Sequence, residues 1–141
     1  MERTASIHRQ TKETDIAVTL NLDGTGESSI ETGIGFLDHM LTLFARHSFV
    51  DLTVRVKGDL EVDTHHSIED TGIVLGEAIK AAVGDKKGIR RYGSCILPMD
   101  ETLLLCALDL SGRPYLVYDA QLKAERVGTL ETGIIREFFY A

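Results

Sequence analysis

Tryptophan is absent from this 141-residue chain, and cysteine and proline occur only twice each. Two cysteines are too few for a disulfide framework or a thiolate metal site, so Cys95 and Cys106 are expected to be small core residues in a reducing compartment. No apolar run approaches the ~18 residues of a membrane span, since the longest, residues 103–108, has six. The first fifteen residues lack the apolar stretch of a secretory signal. We therefore expect a cytoplasmic protein without a membrane partner.

Positive charge is also scarce. The chain has 15 Lys and Arg against 22 Asp and Glu, which gives a net charge of −7. A protein that binds the phosphate backbone of nucleic acids needs a basic surface, so this balance argues against a nucleic-acid partner. At 43% hydrophobic and 26% charged residues, the composition is that of a globular domain.

Hydrophobic periodicity predicts a mixture of strands and helices. Alternation with a period of two predicts strands, and a period near 3.6 predicts helices. The predicted strands are 16–22, 50–56, 60–62, 92–97, 102–110 and 115–120, and the predicted helices begin at Gly35, cover 64–83 and begin near Glu131. The DGTG sequence at 23–26 predicts a hairpin turn. This order of elements predicts an α+β protein.

Two short fragments suggest an internal duplication. Residues 21–24 are echoed by 109–112 at the end of a strand, and residues 31–34 recur at 131–134 before a helix. We therefore divide the chain into a first α/β repeat at 1–88 and a second at 89–141. The second repeat stops within its first helix and is expected to be truncated.

The most informative stretch is residues 63–70, with the sequence DTHHSIED. In a helix, His65 and Glu69 are one turn apart, and His66 and Asp70 form a second such pair. A single pair of this kind is more often a surface ion pair, but two adjacent pairs favour a metal site. Imidazole and carboxylate ligands without a thiolate favour Mn, Fe or Zn.

Five motifs then occur in order: TKET at 11–14, NLDGTG at 21–26, GFLDHML at 35–41, DTHHSIED at 63–70 and DLSGRPY at 109–115. Together they closely resemble the imidazoleglycerol-phosphate dehydratase family of histidine biosynthesis. The resemblance implies a four-stranded sheet with two helices on one face, repeated in tandem, a fold that also occurs in a ribosomal protein. It implies a hydro-lyase that removes water from imidazoleglycerol phosphate, using two manganese ions per active site. It also implies trimers, which form a 24-subunit shell if the chain is complete.

The resemblance assigns metal and substrate roles residue by residue. His39 and His66 resemble the ligands of one manganese ion, and His65 and Glu69 resemble those of the other. Glu13 resembles the acid that contacts the substrate, and it is the residue that we expect to transfer protons. From position alone, His39 could equally be a partly buried structural residue at the edge of its helix.

Further residues are expected to support this centre. Arg91 and Arg113 resemble the arginines that bind the substrate phosphate, a task suited to the planar guanidinium. Asp38 and Asp70 are expected to hydrogen-bond to the ligand histidines. The substrate is expected to contact these residues: Glu13, His39, His65, Glu69, Arg91 and Arg113.

The chain departs from the family pattern at its end. The family continues into a second His-His-x-x-Glu helix and a Ser/Lys segment that grips the phosphate, and Ala141 precedes both. Glu137 stands where many relatives place the second counterpart of His39, and its carboxylate can still coordinate manganese. We therefore expect these 141 residues to be a poor catalyst. Two alternatives stay open: a catalytically silent metal-binding trimer, and a metallohydrolase that activates water with His65 and Glu69.

Overall fold

The computed structural model describes residues 2–141. The strands are β1 (Thr4–Gln10), β2 (Thr14–Asn21), β3 (Ser28–Glu31), β4 (Asp51–Gly58), β5 (Tyr92–Met99), β6 (Thr102–Asp109), β7 (Arg126–Val127) and β8 (Leu130–Glu131). The helices are α1 (Gly35–Ser48), α2 (His65–Val83) and α3 (Ile135–Tyr140), and a 3₁₀ turn at Thr132–Ile134 leads into α3. No helix in the described part of the chain is long and apolar enough to cross a membrane.

The first four strands form one sheet in the order β1-β2-β4-β3. Pairing is antiparallel except between β3 and β4, which are parallel and connected through α1. Val18 lies opposite Val54 and Leu20 opposite Leu52 in the register, and all four side chains are buried. Because side chains alternate along a strand, this register gives the sheet one apolar face and one polar face.

Helices α1 and α2 cover the apolar face of this sheet. Helix α1 buries Leu37, Leu41 and Ala45, which recur every four residues along one side. Helix α2 packs on β1 and β2 and also contacts α3, whose preceding segment buries Leu130 and Ile134 in the same core. The contacts of α2 with β1, β2 and β4 fix the helix on the sheet.

The chain divides into two compact units. One comprises residues 1–84 and 118–141 and contains the sheet and the three helices. The other, residues 85–117, is built on the antiparallel hairpin β5–β6, whose strands are exposed along their length.

Most of the elements expected from the sequence are confirmed, as is the α+β class. The helices at Gly35 and 65–83 and the strands at 16–21 and 51–56 occur where periodicity placed them. The four-stranded sheet with two helices on one face is present in the first part of the chain. The division into repeats at 1–88 and 89–141 stays a prediction.

Four local expectations are wrong. Residues 23–26 do not close a hairpin, because β2 pairs with β1 and β4 while β3 pairs with β4. Residues 60–62 form a turn closed by a hydrogen bond from Val62 N to Asp59 O (2.8 Å), and residues 115–120 have no strand partner and are irregular. Cys95 and Cys106 are exposed rather than buried in a core, and they lie opposite each other in the β5–β6 register.

Candidate active site

The first turn of α2 is held in place by its own sequence and by the end of β4. Asp63 Oδ1 accepts a hydrogen bond from the backbone N–H of His65 at 2.7 Å, which satisfies one of the free donors at the helix start. Gly58 allows the helix to approach closely, since a Cβ there would lie 1.9 Å from Ser67 Oγ, and Ser67 is fully buried. The two histidines therefore stand on a rigid helix start rather than on a loop.

His65 and Glu69 point toward each other. Nε2 of His65 lies 3.3 Å from Oε2 of Glu69, and the two side chains are 50% and 41% exposed. Both side chains are partly open to solvent on one side of the helix. A single cation can therefore be bound by the imidazole nitrogen of His65 and a carboxylate oxygen of Glu69 together. This is the i, i+4 pair expected from the sequence.

His66 has a different carboxylate partner from the one expected. Its Nδ1 lies 2.9 Å from Oδ2 of Asp59, not against Asp70. The hydrogen bond to Asp59 is the main factor that raises the pKa of His66, opposed by burial and supported by the charges of Asp59, Asp63 and Glu13. The charge of Glu13, the expected proton-transfer group at the turn between β1 and β2, thus also favours the protonated form of His66.

Asp70 and Asp38 anchor helices. Oδ2 of Asp70 accepts a hydrogen bond from Thr14 Oγ1 at 2.5 Å and lies 2.7 Å from Arg9 Nη1, which ties α2 to β1 and β2. Oδ1 of Asp38 accepts hydrogen bonds from the N–H and hydroxyl of Thr32 at 2.8 and 2.6 Å, just before α1. Within residues 2–141, neither carboxylate is hydrogen-bonded to His39, His65 or His66.

Glu137 and His65 line the same cavity, which has a volume of about 550 Å³. Its other charged lining residues are Glu125, Arg126 and Glu131, none of which stood out in the sequence. Arg126 is paired with Glu131, which lies opposite it in the β7–β8 register. The cavity thus places a cation, several carboxylates and one imidazole beside the start of α2.

His39 is exposed on α1. Across residues 2–141, no three His, Cys, Asp or Glu side chains come close enough together to hold one ion. The donors at the start of α2 lie in two imidazole–carboxylate pairs, His65 with Glu69 and His66 with Asp59. An imidazole and a carboxylate fit a divalent ion such as Mn²⁺, and further ligands are needed to complete its coordination.

The two expected phosphate-binding arginines both belong to the hairpin unit. Arg91 donates to Asp109 through Nε at 2.7 Å and Nη2 at 3.1 Å, and its guanidinium lies over the ring of Tyr92 at 4.9 Å. The Arg91 hydrogen bond is the main factor that lowers the pKa of Asp109, and the charge of Arg113 adds to it. Both arginines thus act on the charge of Asp109, although 22 positions separate them in the sequence.

Asp59 is the residue that sequence reasoning missed. It directly follows β4 and lies in the loop before α2, so the helical repeat that links residues within α2 does not extend to it. Its one visible signal is the Gly-Asp pair at the end of an alternating strand.

The fold and the donor set define an α+β protein with a histidine–carboxylate pair at the start of a helix, beside a polar cavity. Comparison with known proteins identifies its family. The family model for imidazoleglycerol-phosphate dehydratase matches residues 32–141. The chain belongs to this family, whose members are dehydratases of histidine biosynthesis.

Individual relatives agree with this assignment. Imidazoleglycerol-phosphate dehydratase of Lachnoclostridium phytofermentans is 68% identical over 141 residues, which is 100% of this chain and 72% of the relative. The crystal structure of the Staphylococcus aureus enzyme has a TM-score of 0.85 at 42% identity, covering 97% of this chain and 75% of that one. That of the Pyrococcus furiosus enzyme, solved in complex with a small molecule, has a TM-score of 0.80 at 36% identity, covering 95% and 70%.

Proposed function

We propose that this protein removes water from imidazoleglycerol phosphate to give imidazoleacetol phosphate, with manganese held at the start of α2. The observation that carries the proposal is the His65–Glu69 pair beside a cavity, in a chain of this family. A bound Mn²⁺ would act as a Lewis acid and a template for the imidazole of the substrate. His65 and Glu69 would hold one ion, His66 and His39 are the candidate ligands of the other, and Glu137 is a further candidate from across the cavity.

Glu13 is the candidate for proton transfer. The reaction breaks a carbon–hydrogen and a carbon–oxygen bond, so a group must accept the proton and the leaving hydroxyl must be protonated. Glu13 is exposed at the β1–β2 turn, where its backbone N–H donates to Thr11 Oγ1 at 3.1 Å. That hydrogen bond fixes the turn, and the charge of the Glu13 carboxylate adds to the factors that raise the pKa of His66.

Arg91 and Arg113 are the candidates for binding the phosphate. Both are exposed; Arg91 is hydrogen-bonded to Asp109, and the charge of Arg113 also lowers the pKa of that carboxyl. A phosphate would compete with Asp109 for the N–H donors of Arg91, and bidentate hydrogen bonds would favour a dianionic ligand.

We also propose self-association into trimers, and into the 24-subunit shell if the chain is complete. Two features support association. The donors brought together within residues 2–141 do not complete a metal site. In addition, large apolar side chains such as Ile96, Leu103 and Leu105 are 67–71% exposed on the hairpin. A cytoplasmic location is likewise proposed, supported by the two free cysteines.

The test compares the parent protein with the double variant His65→Ala/His66→Ala. Metal-free protein is dialysed against Mn²⁺, the bound metal is measured by elemental analysis, and turnover of imidazoleglycerol phosphate is followed by product formation. His47→Ala, an exposed histidine near the end of α1, serves as the control. We expect the double variant to lose Mn²⁺ and turnover while the control keeps both. Equal Mn²⁺ content in the double variant and the parent contradicts the proposal.

A further inference from the structure

We propose that Asp59 is a positioning residue for His66, fixing the imidazole with its hydrogen on Nδ1 so that Nε2 is the nitrogen that meets the metal. This inference rests on the proposed function, because it assigns a role to Asp59 only if His66 binds a metal ion. Nothing in the sequence motif pointed to it.

The backbone places Asp59 at the first turn of α2. Strand β4 ends at Gly58, where the absence of a side chain lets Ser67 of the helix approach. The next residue begins a turn in which Val62 N donates to Asp59 O at 2.8 Å. Its carboxylate is 18% exposed, and Oδ2 lies 2.9 Å from Nδ1 of His66.

The side chain of Asp59 has no other hydrogen bond within residues 2–141. Its second oxygen, Oδ1, is buried and has no partner there. Asp63 and Asp51, in contrast, accept hydrogen bonds from backbone N–H groups and so hold turns together. Burying a carboxylate is unfavourable unless it is hydrogen-bonded. The hydrogen bond to His66 is therefore the interaction that offsets the cost of burying the Asp59 carboxylate.

This contact decides which nitrogen of His66 is free. A carboxylate accepts but does not donate, so Nδ1 must carry the hydrogen, and Nε2 of a neutral imidazole then has its lone pair available. A carboxylate behind a metal-binding imidazole also fixes the orientation of the ring and raises its basicity. His65 is arranged differently, since its Nε2 itself faces the carboxylate of Glu69.

The chain offers a matched control for the loss of an aspartate–histidine pair. Asp15 Oδ1 lies 2.6 Å from Nε2 of His8 on the neighbouring strand, and this pair is more exposed than the Asp59–His66 pair. Neither His8 nor Asp15 belongs to the proposed site. Asp15→Ala therefore removes the same kind of interaction without affecting His66.

The first measurement is Mn²⁺ affinity by titration with detection of free Mn²⁺ by electron paramagnetic resonance. We expect Asp59→Ala to weaken binding by about 10–100-fold, the range found when a carboxylate behind a metal-bound histidine is removed. Asp59→Asn keeps an oxygen that can accept from Nδ1, so it should recover most of the lost affinity. Asp15→Ala should bind as the parent does. Circular dichroism and thermal unfolding establish that each variant is folded.

The second measurement reads the tautomer in metal-free protein. Two-bond ¹H–¹⁵N correlation spectra at about pH 9, where imidazoles are neutral, should show His66 with its hydrogen on Nδ1 in the parent and in Asp59→Asn. In Asp59→Ala the spectra should show a mixture of both tautomers. A purely structural role for Asp59 would leave the His66 tautomer unchanged.

The outcomes separate this inference from the proposed function. Mn²⁺ uptake that depends on His65 but is equal in Asp59→Ala and the parent overturns the role of Asp59 alone. An unchanged His66 tautomer in Asp59→Ala does the same. A parent protein that takes up no Mn²⁺ overturns the proposed function, and the role of Asp59 with it.

Discussion

The contact between α2 and α3 is close enough for one methyl group to disturb it. A Cβ added at Gly72 would lie 2.5 Å from the backbone oxygen of Phe138 and 3.3 Å from its carbonyl carbon. A backbone carbonyl cannot rotate away as a side chain can, so the variant Gly72→Ala must push the two helices apart by roughly 0.5–1 Å. Glu137, next to Phe138, lines the cavity beside His65.

Two opposing terms set the size of the effect. Inserting a methyl group into a packed contact costs about 1–3 kcal/mol. Replacing glycine by alanine within a helix contributes about 0.5–1 kcal/mol of stability. Gly76 lies one turn further along α2, and beyond its own stretch of helix no atom of residues 2–141 lies within 4 Å of the position of an added Cβ. Gly76→Ala should therefore gain only the stability that alanine adds within a helix. The difference in unfolding free energy between the two variants then isolates the steric cost of the methyl group at Gly72.

The assay is urea unfolding of the parent and both variants, monitored by circular dichroism. We expect Gly76→Ala to be about 0.5–1 kcal/mol more stable than the parent. Gly72→Ala should be about 1–3 kcal/mol less stable than Gly76→Ala and should bind Mn²⁺ more weakly if Glu137 is a ligand. Equal stability of the two alanine variants would refute the close contact between α2 and α3.

Three further substitutions test the anchors and the phosphate site. Asp51 accepts three backbone N–H groups, which hold the pKa of its carboxyl below the ordinary aspartate value. Asp51→Asn should therefore be less stable than the parent at pH 7 in urea unfolding. The difference should begin to fade as pH falls below the ordinary aspartate pKa, because the unfolded chain then binds the proton first, and it should be lost once the folded carboxyl is protonated as well. Asp70→Ala removes the partner of Arg9 and Thr14 and should cost about 1–3 kcal/mol of unfolding free energy in the same assay. Arg113→Lys keeps the positive charge but loses the parallel N–H donors of the guanidinium, so inorganic phosphate should bind about tenfold more weakly by calorimetry. An unchanged affinity would mean that Arg113 does not bind phosphate and is only a turn residue.

The local parts of this structure could be predicted from the sequence. The one-sided burial of β2 and β4 follows from alternation, because the period of a strand is fixed by its backbone. The approach of His65 to Glu69 follows in the same way from the helical repeat. Both predictions needed only residues close together in the chain.

The parts that were missed depend on distant partners. A turn at residues 23–26 could be predicted, but it does not join two paired strands. Asp51, 24 to 26 positions away, binds the N–H groups of Thr25, Gly26 and Glu27, and β2 pairs with β4 instead. The alternation at 115–120 found no partner strand. Asp59 reaches His66 through a loop whose conformation no spacing rule describes.

The central claim is that the histidine–carboxylate pair at the start of α2 holds the metal for a dehydration. The most direct measurement is the formation of imidazoleacetol phosphate from imidazoleglycerol phosphate by the parent and by His65→Ala, with and without Mn²⁺. We expect the parent to form product only with Mn²⁺ and the variant to be slower by about 100-fold or more, since the loss of a metal ligand removes the Lewis acid. Product formation at the same rate by both proteins, or by the parent without any metal, would contradict the claim.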